Sequence, residues 1–337
     1  MMDSGSPSSG ATAYAPASIG NFGAGFDLLG AALAPLDGSL LGDLVHAAPA
    51  AEASFQLEGP FAAALAGDAR PNLVLRAAGL YQEALKGLGR PVGPFALRLE
   101  KRLPVASGLG SSASSIVATL AALQALCGHP LGVSELLELA GRAEGSTSGG
   151  IHLDNVAPSL LGGLQLTVPG RDGKPAARRL PWPGDLLLVV AHPEYQLATA
   201  HSRAALPERP AWADTVEFAG NLAGFVHALH ADDRALLARC LRDPLVEVHR
   251  APLVPGFRAA QAGALAAGAL GCTLSGSGPS IFAVVGDEAD ASSVAAALQG
   301  GFAQAGLPSR AWICALDLEG ARLLSPVPRP LFLEAQP

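Results

Sequence analysis

The segment that most constrains the fold is rich in glycine and serine and lies between a predicted strand and a predicted helix. Apolar and other side chains alternate from Pro94 to Lys101, which is the period of a half-buried strand. This strand leads into Pro104-Val-Ala-Ser-Gly-Leu-Gly-Ser-Ser112. From Ser111 to Leu126, apolar residues recur at helical spacing, with serine as the predicted N-cap and Gly128 beyond the end. The sequence therefore predicts a strand, a glycine loop and a helix in succession.

A loop of this kind suits a phosphate group. Glycines let backbone N–H groups approach an anion, and the following helix presents its positive N-terminal end. The run from Gly108 to Ala113 also matches the relaxed dinucleotide pattern GxGxxA, but Cys127 to Ser134 is a turn where a Rossmann unit needs a second strand. The loop lacks the lysine of a Walker motif and the GxSxG of a nucleophile elbow. A phosphate-binding loop is favoured, and a glycine turn without a ligand is the alternative.

Composition narrows the class of protein. The chain has 337 residues, 50% hydrophobic and 15% charged, which is enough for one large core or two linked ones. The net charge of −7 and the absence of a Lys/Arg run argue against nucleic acid as a partner. No apolar run approaches the roughly 20 residues that span a membrane. The four cysteines have no CxxC spacing and are predicted to be buried free thiols, and the eight histidines form no metal-ligand pair. A compact small-molecule enzyme fits these observations.

The chain divides near Pro183 into two predicted α+β domains. Residues 1–10 lack the basic and apolar parts of a signal peptide, so we expect a disordered tail and a cytoplasmic protein. Residues 11–183 form the first predicted domain, and 184–325, where alanine-rich helices follow, form the second. In the first domain, a second helix is predicted from Ser134 to Glu144, with a serine N-cap and a loop over 145–150 after it.

Four separated stretches resemble the GHMP kinase family, named for galactokinase, homoserine kinase, mevalonate kinase and phosphomevalonate kinase. They are the segment Tyr14 to Gly30 (YAPASIGNFGAGFDLLG), the loop Pro104 to Ala113, Asp154 to Pro158 (DNVAP) and Leu274 to Pro279 (LSGSGP). Within the family the chain resembles the homoserine kinases. The resemblance implies an N-terminal domain of the ribosomal-protein-S5 type, a ferredoxin-like C-terminal domain, an active site between them, and a homodimer.

The resemblance also implies ATP and Mg²⁺ as cofactors and places them on the glycine loop. The predicted nucleotide-binding residues are Asn72, Lys101, Arg102, Leu103, Pro104, Val105, Ala106, Ser107, Gly108, Leu109, Gly110, Ser111 and Ser112. Ser112 and Glu144 are the implied magnesium ligands, although Glu144 alone would equally suit an exposed carboxylate. Ala106 stands where many family members have glycine, and the loop from Glu144 to His152 is longer than in the common family version.

The implied acceptor is L-homoserine, whose hydroxyl would receive the γ-phosphate of ATP to give O-phospho-L-homoserine and ADP in threonine biosynthesis. Asn155, supported by Asp154, would orient the hydroxyl, and a strong general base is optional in phosphoryl transfer. The implied substrate-binding residues are Asn21, Asp27, Thr199, Arg203 and Arg250. Asp27 would bind the ammonium group and the arginines the carboxylate, whose two oxygens match a guanidinium.

Other interpretations stay open at this stage. Without the resemblance, Asp27 would suit a capping carboxylate, and each arginine would suit a surface salt bridge. The turn from Gly276 to Gly278 is expected to pack against the phosphate or acceptor region, with a purely structural turn as the alternative. The rival functions are a GHMP kinase for another small alcohol and a catalytically silent nucleotide-binding regulator.

Overall fold

A computed structural model describes residues 10–66, 72–148, 151–170, 173–324 and 329–331. The predicted tail 1–10 lies outside the described residues except for Gly10. The strands are β1 (Ala11–Pro16), β2 (Ser18–Gly20), β3 (Leu29–Pro35), β4 (Gly42–Pro49), β5 (Ser54–Glu58), β6 (Phe95–Glu100), β7 (Leu164–Pro169), β8 (Pro175–Leu180), β9 (Leu187–Pro193), β10 (Gly271–Leu274), β11 (Ile281–Val285), β12 (Ser309–Leu316), β13 (Arg322–Leu323) and β14 (Arg329–Pro330). The α-helices are α1 (Leu73–Gly87), α2 (Ser111–Leu126), α3 (Val133–Ser148), α4 (Val156–Leu161), α5 (Thr199–Ala204), α6 (Trp212–Ala231), α7 (Arg234–Cys240), α8 (Glu247–Arg250), α9 (Phe257–Ala266) and α10 (Glu288–Gln304).

The first sheet has the order β14-β13-β1-β4-β6-β5, and its pairs are antiparallel except β5 with β6. The predicted strand from Pro94 to Lys101 is confirmed as β6, whose Leu97 and Leu99 are buried in one core with Ile116 and Leu120 of α2. Helices α1 and α3 pack against α2. The glycine loop therefore lies where an inner strand of the sheet passes into a buried helix.

The start of α2 differs from the sequence prediction. The N-cap is Gly110, in the left-handed region with φ of 63°, and Ser111 is the first helical residue, so the predicted serine cap is wrong. A Cβ atom on Gly110 would lie 2.1 Å from Ser18 Oγ, and a serine there would collide with the neighbouring segment. Glycine occupies this cap because close packing leaves no room for a side chain, although a serine could have accepted a capping hydrogen bond.

Helix α3 is longer at its C-terminus than the predicted Ser134 to Glu144. It runs through the stretch that was predicted as a loop to Ser148, and residues 149–150 lie outside the described part. At its start, the carboxylate of Glu135 accepts a hydrogen bond from the Gly132 N–H at 3.0 Å, in place of the predicted serine cap. Helix α3 packs against α1, α2 and α4, and it continues through the Gly-Ser-Thr-Ser stretch despite the low helix propensity of those residues.

The second sheet has the order β10-β11-β9-β12-β3-β7-β8, with β2 paired to β3. Strand β11 is buried on both faces: Phe282 and Val284 lie in a core with residues of α6 and α7, while Ile281 and Ala283 lie in a core with α9 and α10. Strands from both halves of the chain share this sheet, and β13 and β14 return to the first sheet. The division into residues 11–183 and 184–325 stays a prediction, and backbone hydrogen bonds cross it.

The architecture is mixed α and β, as the sequence predicts. Within the described ranges, no helix has both the length and the apolar character needed to cross a membrane. The prediction of free thiols is confirmed, since Cys240, Cys272 and Cys314 are buried, Cys127 is half-buried, and all four are unbridged.

Candidate active site

A cleft of about 570 Å³ brings together residues from both halves of the chain. The predicted site residues that line it are Asn21, Asp27, Asn72, Lys101, Val105, Ala106, Ser107, Gly108, Gly110, Ser111, Ser112, Glu144, Asp154, Asn155, Thr199, Arg203 and Arg250. The remaining four residues, Arg102, Leu103, Pro104 and Leu109, do not line the cleft. Leu103 and Leu109 are fully buried in the core, Pro104 is buried, and the Arg102 guanidinium contacts Glu100 at 3.3 Å.

The glycine loop has left-handed backbone at three alternate positions. The φ angles are 55° at Ala106, 79° at Gly108 and 63° at Gly110. A side chain at Gly108 would place its Cβ 2.4 Å from the Ser275 carbonyl oxygen. Ala106 therefore adopts a conformation that suits the glycine found at this position in many family members, and it carries the backbone strain of a left-handed alanine.

The turn from Leu274 to Pro279 packs directly on this loop. Ser275 Oγ donates a hydrogen bond to the Gly108 carbonyl at 2.6 Å, and the Ser280 N–H donates to the Ser107 carbonyl at 3.1 Å. The turn therefore contacts the backbone of the glycine loop, and a contact with a bound phosphate stays a prediction. The turn holds the loop from the side of the second sheet.

Ser112 and Glu144 meet at the N-terminal end of α2. Ser112 Oγ donates to Glu144 Oε1 at 2.8 Å. Loss of solvation raises the pKa of the half-buried Glu144 to about 7, and the hydrogen bond from Ser112 opposes the shift only in part. A hydroxyl and a carboxylate are oxygen donors of the type that Mg²⁺ prefers, so this pair fits the implied metal ligands despite the longer segment that follows Glu144. In the part of the chain that the structure describes, no cluster of three or more His, Cys, Asp or Glu side chains could hold a metal.

Lys101 is buried at the edge of the cleft and has three partners within the protein. Its side chain is 2% exposed, and Nζ donates to Asp43 Oδ2, to the Ser111 carbonyl at 2.8 Å and to Ser115 Oγ at 3.0 Å. These three contacts use all three N–H donors of the ammonium. Burial lowers the pKa of Lys101, and the charge of Asp43 opposes that shift. Lys101 therefore anchors the start of α2, and its predicted contact with the nucleotide stays a prediction.

Asn72 also has a structural partner. It is the N-cap of α1, and its Oδ1 accepts from the backbone N–H groups of Val74 at 2.9 Å and Leu75 at 3.2 Å. The residue still borders the cleft. Its contact with the nucleotide stays a prediction. The side-chain NH₂ group would make that contact, since Oδ1 already accepts from the start of α1.

The cleft also contains an ion pair between two predicted substrate ligands, Asp27 and Arg203. Arg203 Nη2 donates to Asp27 Oδ1 at 2.9 Å, and both terminal nitrogens approach Oδ2, at 3.3 and 3.2 Å. His152 Nδ1 lies 3.3 Å from the same Oδ2. Burial acts to raise the pKa of Asp27, but the hydrogen bonds from His152 and Arg203 outweigh it and hold that pKa below its usual value. The structure thus joins the expected ammonium ligand to the expected carboxylate ligand.

His152 is a cleft residue that was not among the predicted site residues. Its hydrogen bond to Asp27 is the main cause that raises the pKa of the imidazole. The sequence carried one signal for it, because His152 lies two residues before Asp154 in a stretch that resembles the family. Asn21 completes this region by accepting the Asp27 N–H on its Oδ1 at 2.8 Å.

Arg250 is almost completely enclosed. Its side chain is 1% exposed and donates from Nη1 to the Gly276 carbonyl at 3.1 Å. The Phe26 ring contacts two guanidinium groups, with its centre 5.1 Å from Arg250 Cζ and 5.4 Å from Arg203 Cζ. Burial lowers the pKa of Arg250 to about 10, so the group remains cationic at neutral pH. Thr199 lies in the exposed wall nearby, with Oγ1 3.4 Å from Ser277 Oγ.

Asp154 and Asn155 connect two parts of the cleft. Asn155 lies beside Gly110 of the glycine loop, and Asp154 lies beside Asn21, which contacts Asp27. Asp154 is buried, and its Oδ2 accepts the Asn21 N–H at 3.0 Å. Burial, and then the negative charge of Asp27, raise the pKa of Asp154 to about 6. Asn155 Oδ1 accepts a hydrogen bond from Ser18 Oγ at 3.0 Å. The cleft thus combines a glycine loop suited to phosphates, the Asp27–Arg203 pair suited to a charged small molecule, and the side-chain amide of Asn155.

Comparison with known proteins agrees with this arrangement. Residues 72–163 match the family model "GHMP kinases N terminal domain", and residues 225–304 match "GHMP kinases C terminal". A homoserine kinase from Cytophaga hutchinsonii is 32% identical, covers 96% of this chain and 100% of its own, and superposes with a TM-score of 0.84. A putative homoserine kinase from Listeria monocytogenes is 23% identical over 93% of this chain and 99% of its own, with a TM-score of 0.66. A mevalonate kinase from L. major in complex with R-mevalonate is 17% identical over 92% of this chain and 97% of its own, with a TM-score of 0.67. The last two likenesses concern the fold alone.

Proposed function

This chain belongs to the GHMP kinase family, whose members are ATP-dependent phosphotransferases, and we propose that its acceptor is the hydroxyl of L-homoserine. The products of the proposed reaction are O-phospho-L-homoserine and ADP. The observation that carries the choice of acceptor is the Asp27–Arg203 pair, which lines the same cleft as the glycine loop. The 32% identity to a homoserine kinase over the full length of that protein supports the same choice.

Asp27 and Arg203 match the two charges of an amino-acid zwitterion. Without a substrate, each group is the partner of the other. A bound zwitterion would exchange that pair for two new ones, with its ammonium on Asp27 and its carboxylate on the forked donors of Arg203. An acceptor that carries only a carboxylate would leave Asp27 with less positive charge around it, and this is costly in a partly buried site.

The chain's own residues would act mainly by positioning. The loop N–H groups and the N-terminal end of α2 suit the phosphates, and the Asn155 amide lies where an acceptor hydroxyl can be oriented toward them. Mg²⁺, held by Ser112 and Glu144, would supply charge neutralisation on the phosphate oxygens. Asp154 already accepts a hydrogen bond from the Asn21 N–H, and we give it the supporting role of holding that segment in place.

The test is an ADP-release assay with acceptors that differ by one charge. L-Homoserine is compared with 4-hydroxybutanoate, which lacks the ammonium, and with 3-aminopropan-1-ol, which lacks the carboxylate. Because a hydrogen bond to a charged group contributes about 1.5–3 kcal/mol, each truncated acceptor should lose roughly 10- to 100-fold in kcat/KM. Mevalonate and galactose complete the panel, and equal or better turnover of either one would refute the proposed acceptor.

The same assay addresses the rival from another class. A catalytically silent regulator would bind ATP and release no ADP with any acceptor, whereas an active kinase needs the Ser112–Glu144 pair that the cleft contains. The proposed product belongs to threonine biosynthesis. The homodimer and the cytoplasmic location stay predictions from the sequence.

A further inference from the structure

Ser18 lies between the glycine loop and Asn155 and contacts both. It is the first residue of β2 and is 0% exposed. Its backbone N–H donates to the Leu109 carbonyl of the glycine loop at 3.1 Å. Its Oγ donates to Asn155 Oδ1 at 3.0 Å, across 137 residues of sequence. One buried residue therefore connects the loop assigned to phosphates with the amide assigned to the acceptor hydroxyl.

The hydrogen bonds on the two ends of the Asn155 amide agree on one orientation. Nδ2 lies 3.4 Å from Asp154 Oδ2, and an ionised carboxylate can only accept, so the NH₂ end faces Asp154. The carbonyl end then faces Ser18, whose hydroxyl donates to it. A flipped amide would turn Nδ2 toward Ser18 and bring two oxygen atoms together at Asp154.

Two glycines complete the enclosure of this amide. A Cβ atom on Gly20 would lie 2.3 Å from Asn155 Nδ2, and one on Gly110 would lie 2.9 Å from Oδ1. The same atom on Gly110 would lie 2.1 Å from Ser18 Oγ. Backbone without side chains thus lies close against part of the amide, which still lines the cleft, and the Ser18 hydroxyl donates a hydrogen bond to its oxygen.

We propose that Ser18 is a positioning residue that holds the Asn155 amide in the orientation needed at the acceptor hydroxyl and keeps it in register with the glycine loop. This inference rests on the proposed kinase function. Since Ser18 is fully enclosed, its hydroxyl does not reach a ligand in the cleft and acts through Asn155. Orientation of a reacting group affects the transition state more than ground-state binding, so the effect belongs to kcat.

The test begins with Ser18→Ala and a matched control, Ser159→Ala. Loss of one hydrogen bond should lower kcat about fivefold to tenfold in Ser18→Ala, with KM for ATP and for the acceptor within about twofold of wild type. Ser159 is also 0% exposed, and its Oγ donates to the Pro16 carbonyl at 2.9 Å instead of to the Asn155 amide. Its variant loses a similar buried hydroxyl and should keep kcat within about twofold.

A double-mutant cycle separates an effect through Asn155 from a general loss of structure. In an Asn155→Ala background, Ser18→Ala should change kcat by less than about twofold, because the group that it positions is already gone. An equal loss of kcat in both backgrounds, or an equal loss in Ser159→Ala, would overturn the proposal. If Ser18→Ala does not fold, Ser18→Cys, which keeps a similar size and only a weak donor, takes its place in the cycle.

The cycle uses whichever acceptor the wild-type enzyme phosphorylates fastest. A preferred acceptor other than L-homoserine would therefore refute the proposed substrate while the role of Ser18 is still measured. Absence of turnover with every acceptor would refute both. Unchanged kcat in a folded Ser18→Ala would refute the role of Ser18 alone.

Discussion

Replacement of Lys101 by methionine should destabilise the protein strongly, because it removes one partner of a buried ion pair. Lys101 is 2% exposed and Asp43 is 0% exposed. Asp43 also accepts from the backbone N–H groups of Arg102 at 2.8 Å and Leu103 at 3.0 Å, and from Ser115 Oγ at 2.6 Å. Methionine fills much of the volume of the lysine chain but leaves the Asp43 carboxylate in the interior without a cation.

The expected loss in the free energy of unfolding follows from the burial of the Lys101–Asp43 pair. Breaking a buried pair by removing one partner costs about 3–5 kcal/mol, and the three remaining hydrogen bonds to Asp43 place the expected cost near the lower end, about 3 kcal/mol. Arg98, on strand β6 just before Lys101, offers a control, since its pair with Glu58 at 3.5 Å has both side chains about half exposed. Arg98→Met should cost less than about 1 kcal/mol.

Urea unfolding of Lys101→Met, Arg98→Met and the double variant Lys101→Met/Asp43→Asn gives the comparison. The double variant should be more stable than Lys101→Met, since it no longer buries an unpaired charge. If Lys101 instead bound the nucleotide, Lys101→Met would raise the KM for ATP while the free energy of unfolding stayed near that of wild type. A loss below about 1 kcal/mol, no larger than for Arg98→Met, would refute the structural role.

Three further predictions concern the cleft. Arg203→Leu should raise the KM for homoserine roughly 10- to 100-fold with ATP affinity nearly intact in steady-state kinetics; equal loss of both would show that the arginine is misplaced. Because the pKa of Asp154 is raised from 3.8 to about 6 in the folded state, its ionisation costs stability progressively between those two pH values, so this group should lower the free energy of unfolding from pH 4 to pH 7. Asp154→Asn should flatten this fall by on the order of 2 kcal/mol in chemical denaturation, and parallel curves would contradict this. Ala106→Gly relieves a left-handed alanine and should raise stability by about 0.5 kcal/mol, whereas a loss on thermal unfolding would show that φ is not strained.

The parts of the fold that were predicted correctly are those that residues close together in the sequence determine. Strand β6 and the extent of helix α2 follow from apolar periodicity, and the turns at Gly108 and Gly110 follow from glycine's freedom to adopt positive φ. The helix ends were predicted less well. Gly110 replaces a serine cap because close packing against Ser18 leaves no room for a side chain there, and α3 continues to Ser148 through residues whose local propensity favours a loop.

Family motifs placed most of the site, but the sequence did not predict how its side chains pair. The expected ligands of opposite charge, Asp27 and Arg203, form an ion pair with each other. Lys101 is buried and pairs with Asp43, a residue that no motif indicated. His152 joined the same group without having been predicted.

The sequence by itself determined the local elements, the glycine loop and the family to which the chain belongs. Apolar periodicity, the backbone freedom of glycine and the order of the motifs can all be read from short runs of residues. Only the tertiary structure decided the partners. Ser18 meets Asn155 across 137 residues, Arg203 meets Asp27 across 176, and Lys101 meets Asp43 across 58. Such contacts depend on which strands lie side by side and on which side chains lose water, and both are properties of the folded chain as a whole.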